Sequence, residues 1–331
     1  MVPQSAVASP RPQKHRQSAE TLEWEVPAEL IASPAVAYRN SFARVLAAKP
    51  VDEIVTSYVY LSRSQMAELV DTACHHFGIQ LSGVGVEVGS GCGLLAATIA
   101  RLKTVSHVYA VEICEGMVKS VMPKVSAAVL GDDVRKVTCT FGSFDNLELA
   151  GESVDFIVEI DSLHHSDDLP RTLKECYRVM KPGGQMLCFD RCHPDSLSDA
   201  EIEQMLAKVY SADFLRKNHY PPDIKLTRRD NGEHELRLRE WKSAFRTAGF
   251  ELSGIAQFIQ RVRFALAVKG LINVLPRRMT SLLYRSNNAD WTSTRDWVLQ
   301  YLRPVSPNPG FGRTVLAPKS STVFLLTKPA K

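Results

Sequence analysis

The chain has 331 residues, a formal net charge of +4, 45% apolar residues and 23% charged residues. This length is typical of one enlarged domain or about two domains, and the composition is that of an ordinary globular protein. The sequence has no apolar run of about 18 residues or more, which argues against a transmembrane helix. Its seven scattered cysteines favour reduced thiols and a cytoplasmic location over a disulfide framework, and their spacing does not favour a metal site.

The N-terminal part of the chain is expected to precede the main fold. Residues 1–29 are rich in proline, serine and glutamine, which predicts a disordered tail. Residues 30–80 are predicted to form a helical cover, because apolar residues recur at helical spacing over residues 35–48. In addition, Ser62 and Gln65 have the spacing of a helix capping box.

A glycine-rich loop is the most informative feature of the sequence. A short apolar strand is predicted to run into Gly89, Gly91 and Gly93, and an apolar helix follows. Glycines at these positions leave backbone N–H groups accessible to a ligand at the carboxyl edge of a parallel sheet. Glu87 precedes the loop, and its charge would disfavour a pyrophosphate and favour a cationic ligand. Leu94 stands where a dinucleotide fingerprint requires a small residue.

A second acid follows the next predicted strand. Residues 106–111 form a mainly apolar, β-branched run that ends at Glu112. A carboxylate at this point can accept hydrogen bonds from both ribose hydroxyls of a nucleoside ligand. Together with Glu112, the pattern Glu-x-Gly-x-Gly-x-Gly that begins at Glu87 is similar to motif I of the class I S-adenosylmethionine (SAM) dependent methyltransferases.

The resemblance continues downstream. Leu163-His164-His165 and the later Lys-Pro-Gly-Gly at residues 181–184 resemble a branch of small-molecule methyltransferases. This implies an α/β fold with a Rossmann-like seven-stranded sheet, six strands parallel and one antiparallel, and helices on both faces. The SAM-binding core would span residues 81–260, and residues 320–331 would supply its final strand.

SAM is the cofactor that the resemblance implies. Its contacts are carried over by position to Glu87, Gly89, Ser90, Gly91, Gly93, Glu112, Ile113, Met117, Ser143, Phe144, Asp145, Glu159 and Ile160. Where related proteins commonly have an acid that bonds the adenine amino group, this chain has Ser143. Asp145, two positions later, either takes over that contact or caps a helix. The family also often places a lid over the cofactor, and the aromatic residues at positions 58–61 either contribute to it or only pack the added helices on the core.

Three residues after the fourth predicted strand are candidates for the catalytic group. Because histidine titrates in the useful range, His165 or His164 is hypothesised to orient or deprotonate the acceptor, with His165 favoured. Asp161 is a competitor, and a structural role for the histidine pair is the alternative. Residues 160–163 lack the Asn/Asp-Pro-Pro-Tyr motif, which favours an oxygen, a carbon or an ordinary amine as the acceptor atom.

A basic insertion separates the two last predicted strands. Residues 261–319 contain ten basic and two acidic residues interleaved with apolar ones. Such a segment can cap a substrate, accept an anionic acceptor or contact an anionic membrane surface. No RNA- or DNA-binding motif accompanies it, which argues against nucleic acid.

The sequence thus favours a SAM-dependent methyltransferase that uses in-line displacement. Its acceptor is expected to be a small molecule or a lipid- or phosphate-bearing metabolite. Two alternatives stay open: a cyclase- or decarboxylase-like enzyme that keeps SAM, and a non-catalytic SAM-binding scaffold that recruits a partner through the insertion. The identity of the acceptor and the oligomeric state are not determined at this level.

Overall fold

The computed structural model describes residues 18–218, 220, 223–260 and 310–330. The strands in this part of the chain are β1 Glu20–Glu23, β2 Gly83–Val88, β3 Val105–Glu112, β4 Val137–Phe141, β5 Val154–Ile160, β6 Met180–Asp190, β7 Glu251–Gln260, β8 Arg313–Ala317 and β9 Ser321–Thr327. The α-helices are α1 Ala28–Ile31, α2 Pro34–Ala47, α3 Val51–Tyr58, α4 Arg63–Phe77, α5 Leu94–Ala100, α6 Met122–Leu130, α7 Leu169–Val179, α8 Asp199–Leu206, α9 Ala212–Lys217 and α10 Leu238–Ala248.

All of the described strands belong to one sheet, in the order β1-β4-β3-β2-β5-β6-β9-β7-β8. The strands from β1 to β6 pair in parallel, whereas β9 is antiparallel to both β6 and β7. The seven central strands match the predicted Rossmann-like sheet with one antiparallel member. The predicted number of strands was too low, because an additional strand lies at each edge.

The first additional strand corrects the predicted disordered tail. Residues 20–23 pair with β4 in parallel register, Glu20 opposite Thr138. All four residues are exposed, so the strand has no apolar alternation by which it could be recognised. Its anchor is the next residue, Trp24, which is 6% exposed and packs against Gly142.

The second additional strand corrects the predicted end of the insertion. β8 pairs in parallel with β7, which extends to Gln260. Within the predicted insertion, residues 261–309 lie outside the described part of the chain. Its proposed substrate-capping and membrane roles therefore concern residues that the structure does not describe.

Two apolar layers cover the two faces of the sheet. Helices α2 to α6 contribute buried residues to one face, and α7 and α10 contribute to the other. On the second face, Trp241 and Phe245 of α10 pack against Phe324 of β9, with ring centroids 5.5 and 5.1 Å apart. The helices cover the two faces of the sheet, so the loops at the carboxyl edge of the parallel strands are free to form a site.

Two elements are locally irregular. Strand β6 begins at Met180, opposite Val154, and therefore includes the Lys-Pro-Gly-Gly segment. The segment forms an irregularity within β6, and Gly183 has a φ of 79°. Helix α6 is preceded by a π-helical turn, Met117–Val121. Pro123 explains the irregularity, since it lacks the N–H that an α-helical hydrogen bond there would need.

Candidate active site

A cavity of about 300 Å³ lies at the carboxyl edge of the parallel strands. Its sheet wall consists of residues on the loops after β2 to β5, from Gly89 to Asp167. Its cover wall consists of Leu30, residues 33–36, Arg39 and Tyr58, and the third side is the loop 229–232. The volume is at the lower end of the range for ligand pockets.

The glycine loop is shaped by Glu87, but not in the predicted way. The Glu87 carboxylate is 1% exposed, and its Oε2 accepts a hydrogen bond from the Ala96 N–H at 2.8 Å. It therefore satisfies the N-terminus of α5 and does not line the cavity, which corrects the prediction of a charge directed at the ligand. Burial is the main reason why its pKa rises to about 8, so the side chain is largely protonated at neutral pH.

Glu112 lies at the cavity, where the sequence places it. It ends β3, and its carboxylate accepts hydrogen bonds from the N–H groups of Gly91 and Cys114, at 2.8 and 2.9 Å. These bonds hold the two carboxylate oxygens in fixed positions next to the glycine loop. A carboxylate has about four lone-pair sites, so both oxygens can still accept ligand hydroxyls.

The loop after β4 closes one end of the cavity. Ser143 and Asp145 both line it, and the Ser143 Oγ accepts a hydrogen bond from the Asp145 N–H at 3.1 Å. Asp145 also accepts a hydrogen bond from Thr172 Oγ1, and burial raises the pKa of its carboxyl group. No α-helix begins at Asp145, so the alternative role as a helix N-cap is wrong.

The remaining predicted cofactor residues divide into two groups. Gly89, Ile113 and Phe144 line the cavity. The others are absent from its described lining, namely Ser90, Gly91, Gly93, Met117, Glu159 and Ile160. Ser90 supports the loop by donating to the Glu87 carbonyl at 3.0 Å, and Met117 is fully buried in the core.

Tyr58, a candidate lid residue, lies directly over the glycine loop. A Cβ atom at Gly91 would be 2.5 Å from the Tyr58 Cε1, so the ring occupies the space that a side chain at residue 91 would need. Burial, followed by the charge of Glu112, raises the pKa of the phenol well above its ordinary value. Tyr60, in contrast, is 67% exposed and does not line the cavity.

His165 and Arg39 meet at the junction of the sheet wall and the cover wall. The Gly232 carbonyl can only accept, so the His165 Nδ1 carries the hydrogen that it donates at 2.8 Å. The Nε2 is then the acceptor for the Arg39 guanidinium at 3.1 Å. Burial and the charge of Arg39 lower the pKa of His165 well below its ordinary value. The imidazole is therefore neutral at neutral pH.

His164 faces away from the cavity, which corrects its candidacy as a base. Its Nδ1 bonds the buried Asp190 at 2.6 Å, and its backbone N–H donates to the same carboxylate at 3.0 Å. Glu159 lies in the same interior, where it accepts hydrogen bonds from Ser162. Burial and the nearby charge of Asp190 raise the pKa of Glu159. Through its hydrogen bonds with Ser162, Glu159 supports the loop after β5 from the protein interior.

Asp161 lines the cavity and is held in an unusual backbone conformation. Its φ of 51° lies in the left-handed region, which costs a residue other than glycine about 1–2 kcal/mol. Its carboxylate forms an ion pair with Lys319, from the loop between β8 and β9. The C-terminal strands therefore reach the site through this contact.

The third side of the cavity rests on a buried ionic cluster. Glu233 is bonded by Arg191 Nη1 and Arg228 Nε, both at 2.8 Å, and it also accepts from the Tyr210 hydroxyl. Glu235 pairs with Arg191 at 3.4 Å. These contacts fasten the loop 229–232, and with it the Gly232 carbonyl, to the end of β6.

Sequence reasoning missed several cavity residues, including Arg39 and Asn231, and did not link Lys319 to the site. Arg39 lies four residues after Ala35 on α2, and a helical repeat that places both on the cavity side could have indicated it. No sequence pattern indicates the loop 229–232 or the contact of Lys319 with Asp161, because the elements concerned are far apart in the chain.

Comparison with known proteins agrees with this geometry. Residues 86–188 match the family model for a methyltransferase domain. A demethylmenaquinone methyltransferase from Listeria monocytogenes is 33% identical over 89 residues, which cover 27% of this chain and 36% of the relative. A malonyl-[acyl-carrier protein] O-methyltransferase from Coxiella burnetii is 43% identical over 58 residues, which cover 18% of this chain and 20% of the relative.

The chain thus spans well under half the length of these curated relatives. A solved structure from Galdieria sulphuraria, assigned as a sarcosine dimethylglycine methyltransferase, superposes with a TM-score of 0.50 at 18% identity. That superposition covers 80% of this chain and 86% of the other.

Residues 86–188 are thus similar to a methyltransferase domain, and the chain has the fold of a solved methyltransferase structure.

Proposed function

We propose that this protein transfers the methyl group of SAM to an oxygen, a carbon or an amine of a small-molecule or lipid-like acceptor. The observation that carries the proposal is Glu112, whose carboxylate is fixed by the N–H groups of Gly91 and Cys114 at the edge of the cavity. This arrangement suits the two ribose hydroxyls of SAM. The sulfonium would then lie between the glycine loop and the residues that follow β5.

Methyl transfer is an in-line displacement. The acceptor atom forms a bond to the methyl carbon while the carbon–sulfur bond breaks, and the electron pair of that bond remains on sulfur. Holding the two reactants in line can contribute roughly 7–11 kcal/mol. When the acceptor is a hydroxyl or an ammonium, a proton must also leave, and a base then contributes about 10²–10⁴ in rate.

His165 is the base that the geometry favours. It lines the cavity, it is neutral, and its Nε2 is the nitrogen without a hydrogen. The proton of the acceptor would move to Nε2 and then to solvent. Asp161 is less suited because its carboxylate already pairs with Lys319.

Binding of the methyl donor is tested by calorimetry with SAM and with S-adenosylhomocysteine. Glu112→Ala should weaken both by about tenfold to a hundredfold, because it removes hydrogen bonds to a charged acceptor. Glu20→Ala, at an exposed carboxylate on β1, is the control. Wild-type protein that binds neither nucleoside would refute the proposal.

Turnover is tested by transfer of labelled methyl from SAM to panels of hydroxylated, amine-bearing and lipid-like acceptors. His165→Gln should reduce transfer by about 10²–10⁴ without weakening SAM binding. A bound SAM without any methylated product would point instead to a cyclase- or decarboxylase-like enzyme or to a scaffold.

The role of the basic insertion belongs to the same proposal. Residues 261–319 could cover the acceptor or contact an anionic membrane, and vesicle flotation distinguishes these two roles. A protein that lacks residues 261–309 should lose flotation with anionic vesicles if the membrane role holds. No helix in the described ranges has the length and apolar character needed to cross a bilayer.

A further inference from the structure

Arg39 is a cavity cation whose charge is not neutralised by the described residues. Its Nη2 donates a hydrogen bond to the Nε2 of His165 at 3.1 Å and lies 3.4 Å from the Nδ1, which already donates to the Gly232 carbonyl. Among residues 18–218, 220, 223–260 and 310–330, no carboxylate forms an ion pair with it. The other cavity arginine, Arg229, pairs with Glu203.

The acids that line the cavity all have other partners. The carboxylates are bonded as follows: Glu112 by backbone N–H groups, Asp145 by Thr172, Asp161 by Lys319, Asp167 by His234, and Asp230 by Thr227. None of these five carboxylates forms an ion pair with Arg39 in the described part of the chain. The missing partner of Arg39 is therefore better supplied by a ligand.

The chemistry of arginine defines that ligand. A guanidinium stays protonated at any physiological pH and presents a planar fork of N–H donors. This fork matches a carboxylate or a phosphate, which it can bind through two parallel hydrogen bonds. An imidazole nitrogen uses only one lone pair and carries no negative charge, so it is a weak substitute for such an anion.

We propose that Arg39 binds a carboxylate or phosphate group of the methyl acceptor, and that this binding draws the guanidinium away from the Nε2 of His165. The anion would replace the imidazole as the partner of Arg39, and the freed Nε2 would accept the proton of the acceptor. Because Nη2 lies only 3.1 Å from Nε2 before the acceptor binds, the anionic group would lie within a few bonds of the methylated atom. The inference rests on the proposed function, since it concerns the acceptor of that reaction.

The methionyl carboxylate of SAM is the competing source of an anion, and nucleoside binding separates the two sources. Affinities of S-adenosylhomocysteine and 5′-methylthioadenosine are measured for wild type, Arg39→Gln and Arg39→Lys. The second nucleoside lacks the amino-acid part. Arg39→Gln should change neither affinity by more than about twofold if Arg39 serves the acceptor. A loss for S-adenosylhomocysteine alone would overturn the inference and assign Arg39 to the cofactor.

Anion binding is then measured directly on protein saturated with S-adenosylhomocysteine. Inorganic phosphate and acetate are titrated, and binding is followed by the rise in melting temperature. Whichever of the two anions binds more tightly to the wild type should lose affinity by about tenfold or more in Arg39→Gln. The loss should be smaller in Arg39→Lys, because lysine keeps the charge but lacks the planar fork of donors. Arg44→Gln is the matched control, since Arg44 is an exposed arginine on the same helix.

Two results would overturn the inference at this stage: an unchanged anion affinity in Arg39→Gln, or no anion binding to the wild type. Failure of the wild type to bind S-adenosylhomocysteine is a different result. It would refute the proposed function itself, and the inference with it.

Discussion

The two walls of the cavity are held by different kinds of contact. On the sheet wall, Glu112 bonds the N–H groups of Gly91 and Cys114, which are 21 and 2 residues away in sequence. Where the other elements meet this wall, Arg39 contacts His165 across 126 residues, and Lys319 contacts Asp161 across 158. The sheet wall thus depends on backbone groups within a motif, and the surrounding elements on charged side chains from distant segments.

This difference suggests a division of roles. Backbone N–H groups fixed by a strand, a turn and a helix give a site of constant shape, as a common methyl donor requires. Charged side chains on a cover helix and on a C-terminal loop can differ between proteins without disturbing the sheet. They are therefore suited to select the acceptor. The following experiments test each wall.

Replacing Glu87 tests the support of the glycine loop, through the pH dependence of stability. Because the folded-state pKa of about 8 lies above the ordinary value of 4.5, the unfolded chain ionises first. The wild type should lose stability as the pH rises from 4.5 to about 8. For the wild type, this loss in unfolding free energy between pH 4.5 and 8 amounts to at most roughly 5 kcal/mol, and Glu87→Gln should remove it. Urea unfolding of both proteins at several pH values measures the difference, and parallel curves would contradict it.

Gly91→Ala tests whether Tyr58 fills the space above the glycine loop. The left-handed backbone, with a φ of 53°, costs about 1–2 kcal/mol in an alanine, and the contact with Tyr58 adds about 1–3 kcal/mol. The expected loss in unfolding free energy is therefore about 2–5 kcal/mol. Gly78→Ala is the matched control, because Gly78 has a φ of 65° and open space around it. Equal losses at both sites would show that the ring does not matter.

Lys319→Met tests whether the C-terminal strands act on the site. The ion pair with Asp161 is partly exposed, so its loss should cost only about 0–1 kcal/mol of stability. Methyl transfer should nevertheless fall, because Asp161 then lies unpaired in the cavity. Lys181→Met removes a comparable pair with Asp155 at the opposite edge of the sheet. Equal turnover in both variants would remove Lys319 from the site.

The smallest effect concerns the titration of His165, which NMR of the imidazole can follow. The groups that act on it are Arg39, His164, Arg191 and the Gly232 carbonyl. Arg39→Gln removes one cation, so the pKa of His165 should rise, although burial continues to lower it. An unchanged titration curve would mean that Arg39 does not control this base.

The same pKa has a consequence for stability. Because the folded-state pKa of His165 is lowered, the unfolded chain binds a proton more readily below the ordinary value of 6.5. This group therefore contributes a loss of stability as the pH falls below 6.5. His165→Gln should reduce that loss, and an identical acid limb in the unfolding curve would contradict it.

The sequence by itself determined the central sheet and the position of the glycine loop. Strand β9 lies at the predicted residues, Ser62 and Gln65 form the predicted capping box, and Glu112 ends its strand at the cavity. These features are local: apolar period, helix capping and glycine spacing act within a few residues to a few tens of residues. They can therefore be predicted from the sequence.

Tertiary structure alone decided the direction of the charged side chains. Glu87 precedes a glycine loop and could face a ligand, yet packing turns it to α5. His164 and His165 are adjacent, but only His165 reaches the cavity, because Asp190 holds the other. The edge strand at residues 20–23 likewise depends on β4, since its own side chains are all exposed. In each case the deciding partner lies in another segment, and its position follows only from the folded chain.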